Sequence, residues 1–128
     1  MRTAIELAKA RRVHSALREI FVHQIRGGSG PNGDLRALGR ALALCQAGCD
    51  AVDDAYCREK LRIVGEYAAE LLSRGDHSKW GRDALAGAEF LRQQVLNALE
   101  FFASRLYSLE TLHASQGRVG SPAARALA

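Results

Sequence analysis

The run from Arg82 to Ser115 contains no proline and has the clearest helical period in the chain. Its polar residues Glu89, Gln93, Asn97, Glu100, Ser104, Ser108 and Thr111 step by three or four, which places them on one narrow face of a helix. Leu85, Ala88, Leu91, Val95, Leu99, Phe102, Leu106 and Leu109 form a main apolar stripe. Phe90, Phe101 and Leu112 recur every eleven residues, about three turns, and form a second stripe well off the first, with Gln94 and Arg105 beside it. A helix with two apolar stripes covers one neighbour and still has surface left to bury. The second stripe either packs on the first helix of the same chain or meets another chain.

Two further helices are expected. Thr3 to Arg26 places Ala10, Val13, Leu17, Ile20 and Phe21 on one face, with Arg11, Arg12, Ser15, Arg18, Glu19 and Arg26 opposite. His14 and His23 fall on opposite edges of that apolar face and Gln24 near its middle, a position that calls for a partner on a neighbouring helix. The breaker Gly27-Gly28-Ser29-Gly30-Pro31-Asn32-Gly33 follows, and Asp34 is a good cap for a second helix over 34–73. Leu35, Leu38, Leu42, Cys45, Cys49, Val52 and Tyr56 form its stripe. After Tyr56 the apolar surface widens through Cys57, Leu61, Val64, Ala68 and Leu72, a flank expected to receive the first helix. Gly48 with Asp50, Asp53 and Asp54 offers a break that would give four helices, while the unbroken stripe favours continuity.

Ser73 to Gly81 reads as a turn, with Asp83 or Ser78 capping the last helix. A hairpin there would bring Glu66 level with Arg92 as an inter-helix ion pair. The expectation is an all-α, antiparallel bundle of three long helices over about 3–26, 34–73 and 82–115, or four if the second breaks near Gly48. It would be one domain over 1–116, with 117–128 a disordered tail.

Charge and chemistry narrow the function less. Residues 1–30 carry six basic and two acidic side chains, while 31–117 carry ten and twelve. Arg2, Lys9, Arg11, Arg12, Arg18 and Arg26 are therefore candidate phosphate contacts for a nucleic-acid backbone. Fifteen of the eighteen basic residues are arginine, which suits bidentate phosphate pairing and a GC-rich genome equally. The first 26 residues carry charge throughout, so they contain no signal-peptide run or membrane span. A cytoplasmic, bacterial-type protein is the default.

Cys45, Cys49 and Cys57 are an odd set expected on one helix, and they read as reduced thiols in the core. Glu110 and His113 have the Glu-x-x-His spacing of half a di-iron site, though at a helix end free carbonyls explain the histidine as well. Arg18 and His23 fit Arg-x4-His, which resembles the catalytic pattern of helical toxin-associated ribonucleases; a chain this rich in arginine yields about one such match by chance. The glycines of 28–33 have phosphate-loop spacing, but Asp34 stands where lysine is needed. No nucleophile–base–oxyanion set and no cofactor loop is visible, and no cofactor or metal is assigned. The sequence favours a non-enzymatic interaction protein: an adaptor, regulator or accessory subunit that associates with itself and with another protein. An accessory nucleic-acid-binding protein and a bundle-core metalloenzyme are the alternatives.

Overall fold

The computed structural model describes residues 4–25, 31–75 and 80–119, and they form an all-helical fold. Helix α1 spans Ala4–Glu19 and continues into a π-helical turn at Ile20–Gln24; α2 spans Pro31–Ala51, α3 Ala55–Ser73 and α4 Arg82–Val119. Four helices pack against one another: α1 touches α2 and α4, and α3 touches α2 and α4. At 38 residues α4 is about 57 Å long. It is long enough for α1 and α3 each to lie along part of it.

The second helix is broken rather than continuous. Val52 to Asp54 leave the helix, and Asp54, in extended geometry (φ −63°, ψ 123°), caps α3 by accepting from the Cys57 amide at 3.1 Å. A side-chain oxygen at this position satisfies one of the four amide donors that a helix start leaves unpaired. Leu61, Val64 and Ala68 of the expected flank are buried, and α3 packs on α2 and α4. The first helix, expected on that flank, packs mainly on α2 and α4 and comes near the flank at Leu61, where Val13 also borders Gly48.

Gly48 does not mark the break. It lies inside α2 at a close approach, where an added Cβ would stand 2.8 Å from Leu61 Cδ1 and 3.2 Å from Val13 Cγ1. Three helices meet there because one of them has no side chain.

Other boundaries differ by a few residues. Helix α2 begins at Pro31 rather than Asp34, consistent with proline's preference for the first helical position. Gly75, at φ +76°, ends α3 in the left-handed conformation that glycine adopts without strain, and its amide reaches the Leu72 carbonyl at 3.1 Å. The Gly81 carbonyl accepts from Leu85, so Asp83 lies within the first turn of α4 instead of capping it. Ser78 lies outside the described residues. Helix α4 runs on to Val119, past the expected end at Ser115, and the rest of the expected tail, 120–128, lies outside the described residues.

The core is what the main stripes imply. Ala10, Val13, Leu17, Ile20 and Phe21 of the first helical segment are buried, as are Val95, Leu99, Phe102 and Leu106 of α4. The π-helical turn lets neighbours Ile20 and Phe21 both face inward. It also leaves the Phe21 carbonyl at a helix end, where the Nε of Arg92 donates to it at 2.7 Å. A cation at a helix C-terminus meets both a free carbonyl and the negative end of the macrodipole.

Candidate interaction surface on the fourth helix

Helix α4 presents three faces. Its polar face, from Glu89 to Thr111, is exposed along its length. The main stripe enters the core at its centre, while Leu85, at the N-terminal end, stays 45% exposed. The second stripe is not covered by α1: Phe90 is 62% exposed, Phe101 53% and Leu112 54%. Of the two readings of this stripe, packing on the first helix of the same chain is therefore excluded.

The stripe borders α3, and the boundary is built from residues of both helices. Tyr56, expected in the core, is 44% exposed at the start of α3. The Lys60 Nζ lies 5.1 Å from the Tyr56 ring centroid and 5.0 Å from that of Phe101, within reach of both π faces. Tyr56, Phe101, Ser104, Arg105 and Ser108 line a shallow groove of about 450 Å³.

Arg105 fixes one wall of this groove. Its Nε and Nη2 donate to the two carboxylate oxygens of Asp54 at 3.1 and 2.8 Å, a bidentate pair that ties the helix break to α4. These hydrogen bonds, with the Cys57 amide, hold the Asp54 carboxyl down at about 2 despite its burial. Gln94 is half-buried beside Phe90 and Phe101. Of the five residues expected at an interface, three are thus exposed apolar groups and one is a fixed ion pair.

Glu66 and Arg92 are not brought together. Glu66 pairs with Arg62, which also binds Glu59, all on α3. Arg92, with its side chain only 14% exposed, is held by Phe21 and by Glu89 at 2.8 Å. Arg92 is engaged at the end of the first helical segment and not by Glu66 of α3.

The candidate phosphate contacts divide in the same way. Arg11 is paired with Glu110 at 2.6 Å and Arg18 lies 3.9 Å from Glu100, so α4 meets part of the basic face with its own carboxylates. Lys9 and Arg12 are exposed; Arg2 and Arg26 lie outside the described residues. The glycines of 27–30 lie outside them as well.

The remaining constellations resolve into packing. Cys45 and Cys57 are buried, on α2 and α3, and Cys49 is partly exposed. Burial pushes the Cys45 thiol up to about 12, and burial together with the nearby Asp54 charge does the same for Cys57. Glu110 of the Glu-x-x-His pair is engaged by Arg11, and with α4 extending to Val119 His113 is not at the helix end. Among the described residues no three histidine, cysteine or acidic side chains converge as a metal site would require. His23 lies 3.8 Å from Glu19 on its own helix, apart from Arg18 and its contact with Glu100.

His14, expected at the edge of the apolar face, is buried, and its ring lies 6.0 Å from that of Phe102. Its Nε2 has no hydrogen-bond partner. Burial lowers its pKa, Arg11 and Arg18 act in the same direction, and Glu100 and a backbone hydrogen bond at Leu99 oppose them.

A second concavity lies between α1 and α2. Ala16, Ile20, Ala43, Leu44 and Ala47 line a groove of about 590 Å³, with Glu19, Gln24 and Arg40 also in its lining. The Gln24 side-chain oxygen accepts from Arg40, which supplies the neighbouring-helix partner its position called for. Sequence reasoning missed both this groove and the Tyr56–Lys60 edge, since each joins residues of two helices whose pairing no single-helix period reveals. No helix among the described residues is long and apolar enough to cross a membrane. Comparison of the chain with protein-family models, with characterised proteins and with solved structures finds no match.

Proposed function

We propose that this is a non-enzymatic helical interaction protein that acts through the exposed apolar stripe of α4, with a second copy of itself as first partner. One observation carries the reading: Phe90, Phe101 and Leu112 stay exposed on a helix whose polar set is exposed and whose central core residues Val95, Leu99, Phe102 and Leu106 are buried. Aromatic side chains are enriched where protein surfaces meet, and single large rings anchor such contacts. The reading includes a cytoplasmic, bacterial setting and an antiparallel bundle. Support for the latter is that Phe21, Arg18 and Arg11 of the first helical segment meet Arg92, Glu100 and Glu110 in turn.

The test is Phe101→Asp, examined by sedimentation across a concentration series with circular dichroism as the check on folding. Loss of assembly in a folded chain supports the surface; assembly equal to the wild type removes it. The nucleic-acid alternative is less favoured, because Arg11 and Arg18 are engaged by Glu110 and Glu100. It would be revived by nucleic acid that co-purifies and is released by salt.

A further inference from the structure

The α1–α2 groove and the Phe101 edge lie on different sides of the molecule. The groove is lined only by residues of the first helical segment and α2, the edge only by residues of α3 and α4. Because α1 and α3 each pack on α2 and α4, these two sides face away from each other. One chain therefore cannot satisfy its own groove with its own edge.

We propose that the α1–α2 groove is the acceptor for the Tyr56–Phe101 edge of a second copy of this chain, so that association is head-to-tail. This rests on the self-association reading above and adds where the stripe docks.

The lining of the groove and the charges on both surfaces support that occupant. The groove lining includes three alanines, Ala16, Ala43 and Ala47, flanked by Ile20 and Leu44, and its volume is in the range that accepts ligand-sized apolar groups. Small side chains let a neighbouring ring approach the helix backbones closely. Glu19 contributes a carboxylate to the groove lining, its side chain 58% exposed and so open to an incoming cation. The incoming edge carries one: Lys60, held against the Tyr56 and Phe101 rings. Arg40, which donates to the oxygen of the neutral Gln24 amide, supplies a guanidinium to stack on an arriving aromatic face. The groove thus offers an anion for Lys60, a cation for the rings and an apolar floor between them.

A contact between two different patches does not close at two copies. Unless the rotation between copies happens to close a ring, it adds copies indefinitely, whereas a patch that pairs with itself stops at a dimer.

The experiment uses two exposed positions, Phe101→Asp in the edge and Ala43→Glu in the groove, each checked for native helicity. Sedimentation velocity is run on the wild type, on each variant and on their equimolar mixture. The wild type should form species larger than a dimer that grow with concentration. Each variant alone should need at least ~10-fold higher concentration to associate. The mixture should yield a one-to-one dimer and nothing larger, since one intact groove meets one intact edge and both outer ends are blocked. Glu19→Lys and Lys60→Glu should each weaken assembly and together restore it.

If Ala43→Glu assembles like the wild type while Phe101→Asp does not, the groove is not the acceptor; the inference fails and the stripe remains an interface. A wild-type species that stops at a dimer overturns it in the same way. If Phe101→Asp assembles normally, or the wild type is monomeric throughout, both the inference and the self-association reading fail.

Discussion

Replacing Gly48 with alanine should destabilise this protein, although alanine is the better helix former. The substitution would gain about 1 kcal/mol from helix propensity, because Gly48 lies inside α2 and not at an end. Against that, the new Cβ would stand 2.8 Å from Leu61 Cδ1 and 3.2 Å from Val13 Cγ1. Leu61 is fully buried and Val13 only 5% exposed, so neither has free space to move into. Forcing an extra carbon into such a site costs about 1–3 kcal/mol. The net expectation is a loss of up to about 2 kcal/mol. Gly39 is the internal control: it is exposed on the same helix with nothing within 4 Å of its would-be Cβ, so Gly39→Ala should gain about 1 kcal/mol. Urea unfolding measures both, read as a shift of midpoint at unchanged slope. If Gly48→Ala and Gly39→Ala were stabilised alike, the convergence of α1, α2 and α3 at Gly48 would be wrong.

Three further outcomes follow from named groups. The His14 pKa is lowered from 6.5 by burial, so the unfolded chain binds its proton more readily; stability should be full above pH 6.5 and fall below it. His14→Leu, which removes the unpartnered Nε2, should remove that slope below pH 6.5 and add about 1 kcal/mol at pH 8, both read by urea unfolding. Asp54 works in the opposite direction: its carboxyl lies near 2 against an ordinary 3.8, so its contribution is complete above pH 4 and is lost as pH falls through the folded value. Asp54→Ala should cost about 1–2 kcal/mol at neutral pH through the lost cap of α3, and acid unfolding should begin at lower pH in the wild type than in Asp54→Ala. Alkylation of the native protein at pH 8, followed by mass spectrometry, should label Cys49 first and leave Cys45 and Cys57, both near 12, protected until urea opens the fold.

The sequence made the faces of individual helices legible and the joints between them much less so. In α4 every residue of the seven-member polar set is exposed, and the central core residues Val95, Leu99, Phe102 and Leu106 are buried, because a long helix averages its period over many turns. The break after α2 was obscured by its own pattern. Cys49, Val52 and Tyr56 keep a three-four spacing straight through the non-helical residues, so periodicity registers no interruption, and only Asp54, three residues before Cys57, carries the cap. The Glu66–Arg92 expectation failed for a related reason. It took its register from a hairpin about the 73–81 turn, whereas the Arg92 side chain is engaged by the Phe21 carbonyl that the π-helical turn presents. Gln24, by contrast, was readable, since a polar side chain on an apolar face needs a partner, and Arg40 supplies it. In the candidate site, Phe90, Phe101 and Leu112 were identifiable from their eleven-residue spacing. Tyr56 and Lys60 were not, because their place beside Phe101 depends on how α3 packs on α4.

The most direct test of the account is the concentration dependence of sedimentation of the wild type against Phe101→Asp. The account predicts that the wild type associates as concentration rises, while Phe101→Asp stays a folded monomer over the same range. A wild type that remains monomeric, or a variant that associates as the wild type does, would contradict the claim that the exposed stripe of α4 is an association surface.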